Sequence, residues 1–184
     1  FGSAGERVLV ERLLEGSEIS ALCFTDGVTV RRMPLARDHK RLCEGDRGPN
    51  TGGMGVFAPV DVEDRINEQI DRILEGAVRG MAKDGFPFRG VLYAGLMISP
   101  TGEANLLEFN ARFGDPETEV LLPLLDSPLS PILFACANGG LEKVPISWKS
   151  SLSCVGIILA GGEYPKKSDK GTIISNIPAS TKDQ

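Results

Sequence analysis

Two strand-turn-strand signals bracket one long helical repeat, and that order restricts the fold of this chain more than any other feature. EISALCFTDGVTV (18–30) reads as two strands joined at Thr25-Asp26-Gly27, a strong hairpin turn. GVLYAGLMI (90–98) reads as a largely buried strand, and Ser99-Pro100-Thr101-Gly102 as the turn into a partner strand, ANLLEFN (104–110). Between them, Val62, Ile66, Ile70, Ile73, Leu74, Ala77, Val78 and Met81 recur at helical spacing, with Asp61 placed to cap the start and Gly85 just past the end. Hairpin, helix, hairpin predicts an α+β fold: a mostly antiparallel sheet flanked by helices.

The flanking segments are less regular. RVLVE (7–11) reads as a short strand. Residues 38–59, DHKRLCEGDRGPNTGGMGVFAP, hold five glycines and two prolines without periodicity, which predicts a long functional or mobile loop. Asp115-Pro116 reads as the cap and first position of a helix carrying residues 120–125, and Ser127-Pro128 or Ser130-Pro131 as the start of another ending at Asn138-Gly139. After Trp148 a β-rich apolar run and a lysine-rich loop suggest a boundary, so 1–148 is expected to be one partial domain and 149–184 the incomplete start of a second. With no initiator Met, the chain is expected to be a piece of a longer protein.

Composition excludes several classes. A chain of 184 residues with 41% hydrophobic and 24% charged residues matches ordinary soluble domains. No apolar run approaches the roughly 20 residues of a spanning helix, and no signal peptide opens the chain, which predicts a cytoplasmic protein with no membrane partner. A net charge of −5 with few aromatics argues against nucleic acid; the local cluster of Arg31, Arg32, Arg37, Lys40 and Arg41 suits a small anion better. The four cysteines form no CxxC pair and stand beside only one histidine, so neither a zinc site nor a disulfide framework is indicated, and reduced thiols filling space are expected.

The chemistry concentrates in LLEFNARFGDPETE (106–119) and in the glycine-rich loop. Strand alternation puts Ala104, Leu106, Glu108 and Asn110 on one face and Leu107 and Phe109 on the other. Glu108 and Asn110 then offer a carboxylate and an amide oxygen to one hard cation, which suits magnesium, an ion that keeps water and substrate phosphates. Arg112 takes the next same-face step if the strand continues, where it could stabilise charge on a transferred phosphoryl group. A surface salt-bridge cluster is the plain alternative. Asp115 either binds a substrate amine or caps a helix. PNTGGMG (49–55) can present backbone N–H groups with Asn50 and Thr51 as an anion cradle, or be a flexible surface loop; no GK[ST] follows, so it is not a Walker loop. His39, between Asp38 and Lys40, suits contact with an anion rather than a metal, and Lys40 is the stronger candidate for a phosphate or carboxylate.

Taken in order, VERLLEGSE, DHKR, PNTGGMG, LYAGLM and EFNARFGDPE resemble the glycinamide ribonucleotide synthetase (phosphoribosylamine-glycine ligase) family of the ATP-grasp superfamily, over residues 7–178. The resemblance implies the second lobe of an ATP-grasp domain and a two-stage ligation. ATP phosphorylates glycine, and 5-phosphoribosylamine attacks the glycyl phosphate to give glycinamide ribonucleotide, ADP and phosphate in purine synthesis. It also implies residue roles: Glu11 and Leu14 at the adenine-holding hinge, Glu18 on the ribose hydroxyls, Glu108 and Asn110 on Mg2+ or Mn2+, and Arg112 facing the reacting phosphoryl group. Asp38, His39, Lys40, Asn50, Thr51, Gly52, Gly53 and Asp115 fall in motifs lining the glycine and phosphoribosylamine pockets, Lys40 with a catalytic part. Fusion to other purine-pathway domains is a further implication.

Some positions depart from the family pattern. Arg12 and Ser17 stand where acids are common, Arg37 where Gln is frequent, and Val56-Phe57 where Ala-Tyr is usual; the strand before EFN carries no acid that could serve as another metal ligand. A different carboxylate-amine ligase, or a nucleotide-binding module without catalysis, are the competing readings. Because a lid lobe and an amino-terminal domain precede these motifs in the family, the chain by itself is expected not to catalyse ligation. Steady phosphate release that depends on glycine and phosphoribosylamine, from the purified 184-residue chain, would refute this.

Overall fold

A computed structural model describes residues 2–167 and 170–177. Its centre is a four-stranded antiparallel sheet in the order β2-β1-β7-β8, built from β1 (Ser17–Thr25), β2 (Val30–Arg32), β7 (Gly90–Ile98) and β8 (Ala104–Asn110). β1 and β7 pair over their whole lengths, from Ser17 opposite Ile98 to Thr25 opposite Gly90. Both hairpins expected from the turn residues are present.

The alternation along β1 and β7 sends their side chains to two separate cores. Ile19, Ala21 and Cys23 with Leu92, Ala94, Leu96 and Ile98 face α1 (Asp64–Lys83), whose Ile66, Ile70, Leu74 and Val78 form the buried stripe. Leu22, Phe24, Val91 and Tyr93 face the other way, against α2 (Thr118–Leu124) and α3 (Leu129–Asn138). A helix of 20 residues with one apolar stripe has a single place to put it, and the sheet offers a matching row. The Cys23 thiol is buried in this packing and pushed up to about 12, mainly by loss of solvation, which leaves it an unreactive filler.

Several local expectations are corrected. Residues 7–11 form no strand: Val8, Leu9 and Val10 are exposed, and among the described residues no neighbour supplies the hydrogen bonds a strand needs. The long loop 38–59 is instead four short strands, β3 (Arg37–Asp38), β4 (Arg41–Cys43), β5 (Arg47–Asn50) and β6 (Gly55–Ala58). β4 and β5 make a hairpin whose turn puts Gly45 and Asp46 at positive φ, and β3 pairs with β6. Strands of two to four residues are too short to print a two-residue period. α1 begins at Asp64 behind Glu63, with no side-chain cap, so Asp61 does not cap it; Gly85 past its end does take positive φ. α2 begins at Thr118 rather than at Pro116, after a turn in which Thr118 N–H donates to Gly114 O.

Beyond Trp148, β9 (Cys154–Ile157) pairs antiparallel with β6, giving a second sheet β3-β6-β9. Of the segment 149–184, residues 168–169 and 178–184 lie outside the described residues. No helix among the described residues is long and apolar enough to cross a membrane.

The turn of the first hairpin also ties the layers together. The buried Asp26 carboxylate accepts from Val28 and Thr29 N–H through one oxygen and from Gly140 and Leu141 N–H through the other. Burial alone would raise its pKa, but these N–H groups outweigh that and hold the carboxyl below its ordinary value. Its stabilisation is therefore full above the unfolded value of about 4 and is lost as pH falls through the lower folded value. Urea denaturation at neutral pH should show Asp26→Ala losing about 3 kcal/mol and Leu74→Ala about 2–5 kcal/mol. The Asp26 deficit, unlike the Leu74 one, should shrink as pH falls below about 4.

Candidate functional site

Register builds the site. Ser20 stands opposite Gly95, and Gly95 opposite Glu108; one row away, Leu22 stands opposite Tyr93, and Tyr93 opposite Asn110. Glu18, Ser20, Tyr93, Gly95, Glu108 and Asn110 thus share the sheet face away from α1. The register slips between Gly95 and Leu96, leaving Leu107 as an extra residue, so the strict alternation expected across residues 104–110 is interrupted there. Beyond the bulge the expectation for the key pair holds: Asn110 Nδ2 donates to Glu108 Oε1 at 3.0 Å, and both side chains lie at the open end of the edge strand. β8 stops at Asn110, so Arg112 is not a further step on the strand; it is exposed beyond the strand end, with Nη1 donating to Phe113 O.

The DHK segment lies across this face. Lys40 Nζ pairs with Glu18 Oε2 at 2.8 Å. Burial works against the ammonium, but the hydrogen bond and charge of Glu18, followed by Asp38 and Glu108, outweigh it and raise the Lys40 pKa. One lysine thus sits in the field of three carboxylates, and it lines a 380 Å3 pocket with Glu18, Asp38, His39, Arg41 and Asn50. The PNTGGMG loop folds back on the same segment: Thr51 Oγ1 and N–H both donate to Lys40 O, Met54 N–H to His39 O, and His39 N–H to Gly55 O. His39 stacks on Phe57 at a centroid distance of 6.0 Å, which accounts for its ring without a metal.

Beneath the loop stand Glu117, Ser20 and Tyr93, to which the sequence reading assigned no role, beside Asp38 and Gly53, which it placed in the substrate pockets. Glu117 is 2% exposed, and its Oε1 accepts from Ser20 Oγ and Tyr93 OH, each at 2.7 Å. Tyr93 is pushed above its ordinary value, first by burial and then by the Glu117 charge. Asp38 is 9% exposed, and its Oδ1 is buried with no hydrogen-bond partner among the described residues. A Cβ on Gly53 would stand 2.7 Å from that oxygen and 2.6 Å from Pro116, while a Cβ on Gly114 would collide with Glu117. Both glycines are there because backbone must approach a carboxylate closely. The only sequence signal for Glu117 was its place two residues after Asp115 in GDPE, and its partners Ser20 and Tyr93 are far away in the chain.

Asp115 is exposed and starts no helix. Together with Gly52, Gly53 and Arg112 it lines a second cleft of 740 Å3, shared with Tyr164 and Lys167 from beyond β9. Glu11 and Leu14 are not brought to either cavity; Glu11 is exposed and Leu14 half-buried in the irregular segment before β1. Among the described residues no group of three His, Cys, Asp or Glu side chains is disposed around a metal position. What is present is a smaller donor set, one carboxylate and one amide side by side at a solvent-facing edge. Such a set fits an ion that completes its shell with water and phosphate oxygens.

A profile of the family described as "Phosphoribosylglycinamide synthetase, ATP-grasp (A) domain" matches residues 1–118. The chain belongs to this family. It is similar to the "Trifunctional purine biosynthetic protein adenosine-3" of Drosophila melanogaster, 51% identical over 97% of this chain and 13% of that protein. It is likewise similar to the "Phosphoribosylamine--glycine ligase" of a Nostoc strain, 48% identical over 97% of this chain and 42% of the relative. Among solved structures, the phosphoribosylamine-glycine ligase of Thermotoga maritima superposes with a TM-score of 0.79 at 36% identity, covering 90% of this chain and 42% of that one. The chain therefore has the ATP-grasp fold and spans less than half the length of these synthetase relatives.

In this chain the buried Asp38 carboxyl carries a pH signature. Asp38 is raised to about 7, chiefly by burial and then by Glu117, against the opposing charge of Lys40. A raised carboxyl contributes stability that is full below the unfolded value near about 4 and is lost as pH rises through the folded value. Carboxyl NMR should place the Asp38 midpoint near 7, and Glu117→Gln should lower it by removing the second cause. An Asp38 midpoint unmoved by Glu117→Gln would show that the two carboxylates do not interact.

Proposed function

We propose that this chain supplies the second lobe of an ATP-dependent phosphoribosylamine-glycine ligase, joining glycine to 5-phosphoribosylamine through a glycyl phosphate and releasing ADP and phosphate. The observation that carries the reading is the pair Glu108 and Asn110, in contact on one open strand edge and on the same sheet face as Glu18 and Glu117, with Lys40 reaching between the acids. A surface salt-bridge cluster would pair Glu108 with a cation; here its hydrogen-bond partner is a neutral amide.

Glu108 and Asn110 would hold Mg2+ or Mn2+, which when bound neutralises charge on the phosphates of ATP. For Asn110 to join as a ligand, its amide turns so that the carbonyl oxygen, rather than the nitrogen, lies beside Glu108. Glu18 accepts from ribose hydroxyls, and Lys40 is the mobile charge between Glu18 and the transferred group. Its present partner is an acid of the nucleotide pocket, so an incoming phosphate exchanges one anion for another at the same ammonium. Arg112, free of the strand, can turn its remaining N–H groups to the reacting phosphoryl oxygens. Carboxylate activation needs water kept out, since an acyl phosphate hydrolyses readily. The glycine loop closed over Asp38 suits that task. Glu11 and Leu14 contribute to the adenine hinge when the preceding lobe is joined to them.

In the same reading residues 1–148 are the partial ATP-grasp domain and 149–184 the start of a β-rich domain. The protein is cytoplasmic, and the trifunctional relative makes fusion to other purine-pathway activities part of the proposal. In the intact synthetase carrying this sequence, ADP formation should require both glycine and phosphoribosylamine. Glu108→Gln should cut kcat/KM by roughly 100-fold or more, the scale of several kcal/mol of lost metal stabilisation, with partial recovery at high Mn2+. ADP formation with another amino acid but not glycine would overturn the substrate; wild-type Mg2+ dependence in Glu108→Gln would overturn the metal pair.

A further inference from the structure

Glu117 is a buried acid that the ligation scheme leaves without a task. It stands at the N-cap position of α2, yet its side chain makes no cap hydrogen bond. The carboxylate turns inward instead, and oxygens from three distant parts of the chain close on one another. Ser20 Oγ of β1 and Tyr93 OH of β7 each lie 2.7 Å from Glu117 Oε1 and 2.9 Å from each other. The turn before α2 is shaped to admit the acid, since a Cβ on Gly114 would collide with it. As packing alone this is a poor choice. Apolar side chains of the same shape can fill a core at similar stability; what a satisfied polar cluster adds is one fixed geometry.

The geometry fixed here is that of the Tyr93 ring. Tyr93 stands directly opposite Asn110, and Gly95 directly opposite Glu108. Residues so placed on antiparallel strands have Cβ atoms about 4.5–5.5 Å apart, within reach of one another's side chains. Gly95 offers Glu108 bare backbone, where a Cβ would stand 3.5 Å from Glu108 Cγ, so Tyr93 is the side chain facing the pair from β7. Asn110 has use for such a wall. The torsion that turns its amide plane is broad and has no sharp rotamer of its own, and β8 is the edge of its sheet. A hydroxyl anchored at 2.7 Å in turn holds the Tyr93 ring at its far end.

We infer that Glu117 is a positioning residue for the Glu108–Asn110 pair: through the Tyr93 hydroxyl it holds the ring against which the Asn110 amide is set beside Glu108. The inference rests on the ligase reading above, which makes Glu108 and Asn110 the metal ligands, and it adds Glu117 and Tyr93 behind them. Glu117 touches neither ion nor substrate in this role. Ser20 shares the same carboxylate but stands opposite Gly95, one strand farther from the pair.

The test is a Mn2+ titration of the intact synthetase carrying this sequence, followed by electron paramagnetic resonance with a non-hydrolysable ATP analogue bound, so that binding is read without turnover. Tyr93→Phe keeps the ring and deletes its anchor; it should weaken Mn2+ binding about tenfold, the scale of losing a support behind a metal ligand. Glu117→Met, similar in length but without an acceptor, should do the same. Ser20→Ala should leave Mn2+ affinity near the wild-type value, although urea denaturation should show it and Tyr93→Phe losing comparable stability, each having removed one donor to the buried carboxylate. That split separates positioning from packing. Mn2+ binding unchanged in folded Tyr93→Phe, or weakened equally in Ser20→Ala, overturns the inference. Glu108→Gln controls for the reading beneath it. Wild-type Mn2+ binding in Glu108→Gln sinks the metal pair itself, whereas loss there with no change in Tyr93→Phe sinks the role of Glu117 alone.

Discussion

The pairing of β1 with β7 is the interaction on which the rest depends. Nine consecutive residue pairs, Ser17–Ile98 to Thr25–Gly90, fix which side chains face α1 and which face α2 and α3. A slip of one residue would exchange the two sets, sending Ile19, Ala21 and Cys23 to the wrong helix. It would also turn Ser20 and Tyr93 away from Glu117. Fold and site are therefore specified by the same register, and the site cannot be moved without repacking both cores.

Around that register the protein places groups that folding alone would avoid. Glu117 and Asp38 are carboxylates deep in the structure, one satisfied by two hydroxyls and the other with an oxygen left unpartnered. Burial of this kind costs free energy unless hydrogen bonds compensate. Compensation is complete for Asp26, which accepts four backbone N–H groups and serves as a structural tie. It is incomplete for Asp38, whose pKa moves the opposite way. Two buried aspartates of one chain thus separate by environment into a tie held in its charged form and a carboxyl pushed toward its neutral form.

The legible parts of this chain were local. The 18–30 hairpin, the strand at 90–98, the apolar stripe of α1 and the Glu108–Asn110 pair follow from turn residues and periods of two or 3.6, which act within a few residues. The misread parts depended on distant partners. Residues 7–11 have the composition of a strand but find no neighbour among the described residues, and β3 to β6 are ordered by one another and by β9, too briefly for a period to show. Arg112 is off the strand because β8 ends at Asn110, where the apolar pattern ends, so the condition that the strand continue is not met.

What the sequence determined by itself was the menu: an antiparallel α+β lobe, a family signature in EFNARFGDPE and PNTGGMG, and a carboxylate beside an amide on one strand face. Only the tertiary structure decided that Glu117 would be buried under Ser20 and Tyr93, that Lys40 would be held by Glu18, and that Tyr164 would fasten the glycine loop into a second cleft. The physical reason is separation along the chain. Strand faces and turns arise from neighbouring residues, whereas these contacts join residues 22 to 112 positions apart, brought within hydrogen-bond reach only after the sheet has closed.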